Sequence, residues 1–369
     1  MDDNGNSCYR IIGSWYSNRL CNRKKTIGLS YMHPITKFLI RKAVFYLVTF
    51  LIMLLSTFIL PRAIPGNAVL LQIRQFMRVA VTNPEAIAER YRALLNYFGL
   101  DKPLWDQFVD YLWRVLLHGD LGISITFFPK SVAELIFSSL SWSLALLVPA
   151  YTISWIIGNT LGTYAAYKRN TLIDNLLFTI FVVLSQIPYF ILGFLLLSTL
   201  AVELKLFPTY GGWDIGLQPS LDWRFITSYL HHYALPFFSI LITSIGIWGT
   251  GARTMAIYEF GSDYMEYADS MGVPERRLIK YAFKNILVPQ ITGFSMQLGF
   301  AVGGALLTEI VFSYPGVGWL LYRGTVTQDY ILIQGSFIVV ASSVLLANFI
   351  TDILYAVIDP RIRKGYVSI

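Results

Sequence analysis

Few side chains in this sequence could do chemistry, and their placement is informative. The four histidines are His33, His118, His231 and His232, and none begins an HExxH pattern. His231 and His232 are adjacent, but no third ligand stands near them, so the pair reads as an interface feature ahead of a metal site. The two cysteines, Cys8 and Cys21, form no CxxC motif and no disulfide framework. No GxxxxGK[ST] loop occurs, so the chain has no P-loop of its own with which to hold ATP. Two carboxylates lie in apolar stretches, Glu309 and Asp352. A carboxylate in such a place is a functional candidate by default. Glu309 could serve a function within its apolar stretch, snorkel to an interface, or cap the turn that follows it. Asp352 could pair across a helix bundle with a basic residue such as Arg253. No convergent catalytic set emerges and no metal site is expected.

The elements that carry these residues are apolar helices. Hydrophobic residues make up 55% of the 369 and charged residues only 14%, against roughly a quarter charged in soluble domains. A membrane span needs about 20 mostly apolar residues. Six stretches qualify, at about Phe38–Leu60, Ser139–Tyr167, Asn175–Val202, Tyr233–Ile257, Leu287–Phe312 and Ile331–Ile358. The expected fold is therefore all-α and polytopic. The first apolar run follows a long polar tail with no small-residue cleavage site after it, so it reads as an uncleaved helix. Eighteen Lys and Arg flank the spans on one side and three lie in the opposite short loops. The positive-inside rule then places both termini in the cytoplasm. The formal charge of +7 has this origin, since no basic amphipathic nucleic-acid module is visible.

This reading divides the chain into a cytoplasmic tail (1–37), a first span (38–60), an extracytoplasmic connection (61–138), a transmembrane core (139–358) and a short cytoplasmic tail (359–369). The connection is too long to be a bare linker. Pro84–Phe98, capped by Asn83, and Pro103–Leu117 read as short amphipathic helices. In the second, Leu104, Phe108, Tyr111, Leu112 and Val115 fall at helical spacing.

The cytoplasmic segment 259–286 is the most informative. Tyr264, Tyr267, Ala268 and Met271 share one helical face. Gly272 can adopt the left-handed conformation that ends a helix, and Pro274 suits the first turn of the next. Leu278, Ala282 and Ile286, with Ile279 and Phe283, continue an apolar stripe. Two short helices joined by a glycine elbow, one side apolar and the other charged, would suit docking into a groove of a partner protein.

The pattern Glu266-x-Ala268-xxx-Gly272 resembles the EAA loop of ABC importer permeases, which inserts a coupling helix into the ATPase subunit. The chain looks like the B-type permease of the oligopeptide/dipeptide/nickel family over about Ile35 to Lys364. The segments Arg62–Asn67, Phe98–Leu104, Gly119–Gly122, Glu309–Gly318, Asp329-Tyr330, Gln334-Gly335 and Asp359–Arg363 carry the rest of the resemblance. Two features depart from the pattern. Tyr267 stands where the first Ala of the EAA triplet is usual, and Gly272 and Pro289 are further apart than in sugar permeases.

The resemblance implies a type I ABC importer permease without enzymatic activity. Its partners would be a homologous C-type permease, two ABC ATPase subunits that carry ATP and Mg, an extracytoplasmic substrate-binding protein and the lipid bilayer of the cell membrane. Glu266, Ala268, Met271, Gly272, Pro274, Glu275, Arg276 and Arg277 would then be the ATPase-coupling residues. The fifth span borders the path in this family, so Gly299, Gly303 and Glu309 are candidates to line it. Peptides are the expected substrate, with oligosaccharides or nickel as alternatives. Rivals of another class are a secondary transporter or channel that needs no ATPase, and a membrane enzyme, for which Glu309 and Asp352 alone are too few.

Overall fold

The computed structural model describes residues 34–63, 89, 92, 93, 96, 101–301, 303 and 305–358. The expected helix at Pro84–Phe98 lies almost wholly outside them. So do the N-terminal tail with Cys8 and Cys21, Gly304, most of Arg62–Asn67 and the C-terminal Asp359–Arg363 motif. Among the described residues the structure is helical, and the sole strand-like pairing is an isolated bridge between Ile123 and Ser131.

Helix α1, Pro34–Ala63, carries no glycine and opens on a proline, which costs no helical hydrogen bond at that end. Leu47, Leu51, Ile52 and Leu55 stay exposed on it, whereas Leu54 and Phe58 are buried. Helix α2, Leu104–Trp113, covers those two residues with Phe108, Tyr111 and Leu112. The Thr57 and Tyr111 hydroxyls meet at 3.1 Å. The expected helix at Pro103–Leu117 is thus present, although Leu104 faces outward and the last turn, Arg114–His118, widens before ending at a left-handed Gly119.

The centre of the fold is a long helix, α6, Trp223–Phe260, lying against α3, Val132–Tyr167, and α4, Leu172–Gln186. Glycines permit this close approach. A methyl group at Gly162 would lie 2.4 Å from the Gly249 carbonyl oxygen, and one at Gly246 would lie 2.6 Å from the Ser185 nitrogen. Small residues at such crossings let helix backbones pack without a hydrophobic driving force between them. Both partner helices begin with a side-chain cap. Ser131 accepts a hydrogen bond from the Glu134 amide at 3.2 Å, and Thr171 accepts one from the Asp174 amide at 3.4 Å.

Among the described residues, three helices are long and apolar enough to cross a membrane, Leu39–Ile59, Val132–Tyr167 and Trp223–Phe260. A fourth candidate is broken. The stretch expected as one span at Asn175–Val202 consists of α4 and a second piece, α5, Tyr189–Leu196, prolonged by a wider turn, Leu197–Glu203; the two pieces are bent by 93°. Ile187 is extended, as a residue before proline tends to be, and Pro188 opens the second piece.

The stretch expected as a fifth span is also not one helix. Helix α8, Glu275–Ala301, starts well before it and runs through Pro289; then comes a turn at Gly303 and a short α9, Leu306–Val311. Helices α10, Val317–Val326, and α11, Tyr330–Ile358, complete the described residues. Among the described residues, 46–351 form one compact unit and 34–45 with 352–358 another, within which Lys42 pairs with Asp352 at 3.1 Å. The expected Asp352–Arg253 pair is therefore corrected: Arg253 is held by Asp174 instead.

Candidate functional site

The segment 259–286 turns on two short-range devices. Helix α6 stops at Gly261, and helix α7, Asp263–Ser270, begins two residues later, after its N-cap Ser262. Asp263 and Glu266 lie in the first turn of α7, where the helix dipole favours negative charge. Helix α7 ends in a Schellman motif. Gly272 takes a φ of 75°. Its amide donates to the Asp269 carbonyl at 2.9 Å, and the Val273 amide donates to the Ala268 carbonyl at 3.1 Å. The left-handed geometry costs a residue with a Cβ roughly 1–2 kcal/mol, so glycine belongs here. The Pro274 carbonyl then accepts from the Arg277 amide at 2.8 Å and starts α8.

One face of this elbow is a small core. Met265, Leu278 and Ala282 are buried together, with Phe260, Ala268 and Val273 packed on them. Burial of a Met or Leu side chain is worth roughly 1.5–3 kcal/mol where water is the alternative. The opposite face is open: Tyr267 is 68% and Met271 67% exposed, and Glu266, Pro274, Arg276 and Arg277 are exposed too. The face expected to hold Tyr264, Tyr267, Ala268 and Met271 is thus divided, because the turn that brings Val273 back covers Ala268.

Polar clamps lock the elbow to its neighbours. The Glu259 carboxylate, at the end of α6, accepts hydrogen bonds from the Tyr264 hydroxyl of α7 and from the Asn285 amide of α8. The Asn285 amide also donates to the Tyr264 oxygen at 2.8 Å. Three helices therefore share one knot. Partial burial raises the Tyr264 pKa, and the adjacent carboxylate adds to the rise. On the other side, Lys168 in the turn between α3 and α4 donates to Glu275 at 2.7 Å. That hydrogen bond raises the Lys168 pKa above the ordinary lysine value.

The structure thus brings Glu266, Ala268, Met271, Gly272, Pro274, Glu275, Arg276 and Arg277 into one elbow. The path candidates lie in separate surroundings. Gly299 is half-buried on the last turns of α8. Gly303 sits in the turn that follows, where an added Cβ would come 3.2 Å from Val340. Glu309 is fully enclosed. It accepts the Ser143 hydroxyl at 2.7 Å and the Gly318 and Trp319 amides at 2.7 and 3.3 Å. It therefore caps the start of α10, one of the roles open to it from the sequence. Gly316 makes room, since a Cβ there would lie 2.3 Å from the carboxylate. His232 binds the Ser228 carbonyl and His231 the Leu206 carbonyl, and no group of three metal-ligating residues exists among the described residues.

Sequence reasoning missed Glu259, Asn285, Lys168, Asp174 and Ser143. One signal was available. Thr171-xx-Asp174 is a helix-start pattern on the same expected side of the bundle as Arg253, which makes Asp174 a candidate partner for it beside Asp352.

Comparison with known proteins identifies the family. Residues 158–364 match the family described as binding-protein-dependent transport system inner membrane component. The dipeptide transport system permease protein DppB of Escherichia coli K12 is 30% identical over 349 residues, 89% of this chain and 98% of that protein. The di/tripeptide transport system permease protein DppB of Pseudomonas aeruginosa is 31% identical over 340 residues, 88% and 98%. The glutathione transport system permease protein GsiC of E. coli is 32% identical over 284 residues, 77% and 87%. With more than half of its length inside the family match and relatives aligned nearly end to end, the chain belongs to the binding-protein-dependent transport system inner membrane components, the permeases of ABC importers.

Proposed function

We propose that this chain forms half of the translocation path of an ATP-driven importer of short peptides. The relatives carry dipeptide, di/tripeptide and glutathione in their names, and short peptides are the substrate class common to the three. A homologous permease supplies the other half of the path. Two separate ATPase subunits carry ATP and Mg, and an extracytoplasmic binding protein delivers the peptide. The chain has no ATPase site of its own. In this reading it crosses the membrane six times with both termini in the cytoplasm. The third crossing is the bent α4–α5 pair, and the fifth is formed by α8 with α9.

The observation that carries the proposal is the elbow of α7 and α8. It is stiff behind, through Met265, Leu278 and the Glu259 clamp, and bare in front, at Tyr267 and Met271. A stiff element with an exposed apolar tip can enter a cleft and pass on the movement of that cleft. Closure of the ATPase dimer would displace the elbow, and the two permeases would rock between outward-open and inward-open states. The permease makes and breaks no covalent bond.

Co-expression with candidate ATPase and permease neighbours tests this. The complex should co-purify, and deletion of Glu266–Arg277 should abolish both ATPase association and uptake of labelled dipeptide. Uptake that persists after the deletion would show an ATPase-independent transporter. Calorimetry of the cognate binding protein with a dipeptide, nickel and an oligosaccharide tests the substrate; heat only with nickel or the sugar would overturn the peptide assignment.

A further inference from the structure

Arg253 and Asp174 form a two-point ion pair between α6 and α4. The guanidinium Nε lies 2.6 Å from one carboxylate oxygen and an Nη nitrogen 2.8 Å from the other. The Asp174 carboxylate is fully enclosed and also accepts from the Asn170 amide at 3.1 Å. The guanidinium lies over the Phe178 ring, 4.1 Å from its centre. A forked contact of this kind fixes orientation as well as distance, which a lysine ammonium would not. Breaking it would leave an enclosed charge without a partner, so the joint yields less readily than an exposed bridge.

Its position gives this stiffness a use. Arg253 stands on the last turns of α6, the helix that runs directly into the elbow at Gly261. Asp174 stands on the first turn of α4, the helix that leads to the break at Ile187 and Pro188. Further along, Phe181 of α4 packs against Gly249 of α6, and Gly246 lies against the Ser185 backbone. Helices α4 and α6 are thus joined along the whole length of α4. Beyond this joint lies the 93° break, where the Ile187 amide donates to the Leu184 carbonyl at 3.4 Å, and past it α5 packs on α6 in its turn, with Gly193 against Ser239.

We propose that Asp174 and Arg253 are a positioning pair for ATP coupling, which makes α4 follow α6 so that displacement of the elbow is delivered to the α4–α5 break. The inference rests on the importer reading above. It assigns the pair a role in transmission and none in docking.

The test uses the whole transporter in proteoliposomes with its binding protein. Asp174→Asn and Arg253→Gln should keep the ATPase subunits bound and the basal ATP hydrolysis running. Stimulation by the peptide-loaded binding protein, and peptide taken up per ATP hydrolysed, should each fall about tenfold, within the usual size of coupling between sites. Arg253→Lys, which keeps charge but not the fork, should fall between. Wild-type coupling in Asp174→Asn would overturn the inference and leave the importer reading intact. A wild-type chain that never binds an ATPase would overturn the importer reading itself.

A second measurement keeps the native pair, in case the variants do not fold. Spin labels at Leu172 and Tyr258, both largely exposed, go into a chain whose Cys8 and Cys21 are replaced by serine. Their separation should be the same without nucleotide and with ATP trapped. A change of several ångströms would show that α4 does not follow α6, and would overturn the inference.

Discussion

Ser143 and Glu309 are tied by a 2.7 Å hydrogen bond, and the same serine oxygen accepts from the Val317 amide at 2.9 Å. One hydroxyl thus serves both the carboxylate and the first turn of the helix that the carboxylate caps. The acidic residue most exposed to a functional interpretation by its sequence position is fully engaged in holding α3, α9 and α10 together.

Removing that carboxylate should cost stability before it costs selectivity. Glu309→Ala strips partners from the Ser143 hydroxyl and the Gly318 and Trp319 amides, and each enclosed polar group left unpaired costs about 1–3 kcal/mol. Gly316→Ala should be destabilising as well, because the new methyl group meets the carboxylate. Thermal unfolding in detergent measures both. A Glu309→Ala chain that melts like wild type yet imports nothing would return the residue to the path.

The two faces of α7 should separate binding from stability. Leu278→Ala opens a gap in the small core with Met265 and Ala282 and should cost about 2–5 kcal/mol, the usual range for leucine truncation. Tyr267→Ala, on the exposed face, should leave the melting temperature nearly unchanged while weakening recovery of the ATPase subunit by pull-down. Equal losses of ATPase from both variants at matched folded protein would show that the face is not a docking surface.

Gly272→Ala should loosen the elbow by about 1–2 kcal/mol, the penalty of a left-handed residue bearing a Cβ. Gly272→Asn should be milder, since asparagine tolerates that region. Hydrogen exchange at the Val273 amide reports the change directly, as that amide closes the turn. Unchanged protection there in both variants would show that the φ of 75° is not what holds the turn.

The Lys168–Glu275 bridge should be indifferent to pH in the neutral range. Hydrogen bonding to Glu275 raises the Lys168 pKa above its ordinary value of 10.5. A raised value means that the bridge is fully present below the ordinary lysine pKa and is lost only as pH climbs through the higher one. Coupled ATPase activity should therefore show no step between about pH 6 and 9 attributable to this lysine. Lys168→Met should change it less than about twofold, as expected for an exposed ion pair. A Lys168-dependent step inside that window would contradict the assignment.

Much of this was legible in the sequence because it depended on local rules. The elbow was visible from Gly272, Pro274 and the apolar stripe at Leu278 and Ala282, each of which acts within a few residues. The bend at Pro188 was not, because apolar content carries no record of direction and proline within an apolar run is compatible with a continuous helix. Ile187 must be extended for the break to form, which the following proline favours but does not compel. The fate of Glu309 was likewise hidden, since its partners stand on α3 and α10, and only the tertiary fold brings Ser143 within reach. Arg253 shows the same limit. Two acidic residues could satisfy it, and chain order does not say which lies on the adjacent helix.

Helix α8 joins the elbow to the turn at Gly303 without interruption through its 27 residues. At about 1.5 Å per residue it is a rod ~40 Å long. If it pivots near its middle, a tilt of only ~10° swings each tip by ~3.5 Å, more than the width of a water molecule. A modest shove on the first turn, at Glu275 and Arg276, thus becomes an ångström-scale stroke near Gly299, by leverage alone and without any change in the helix itself.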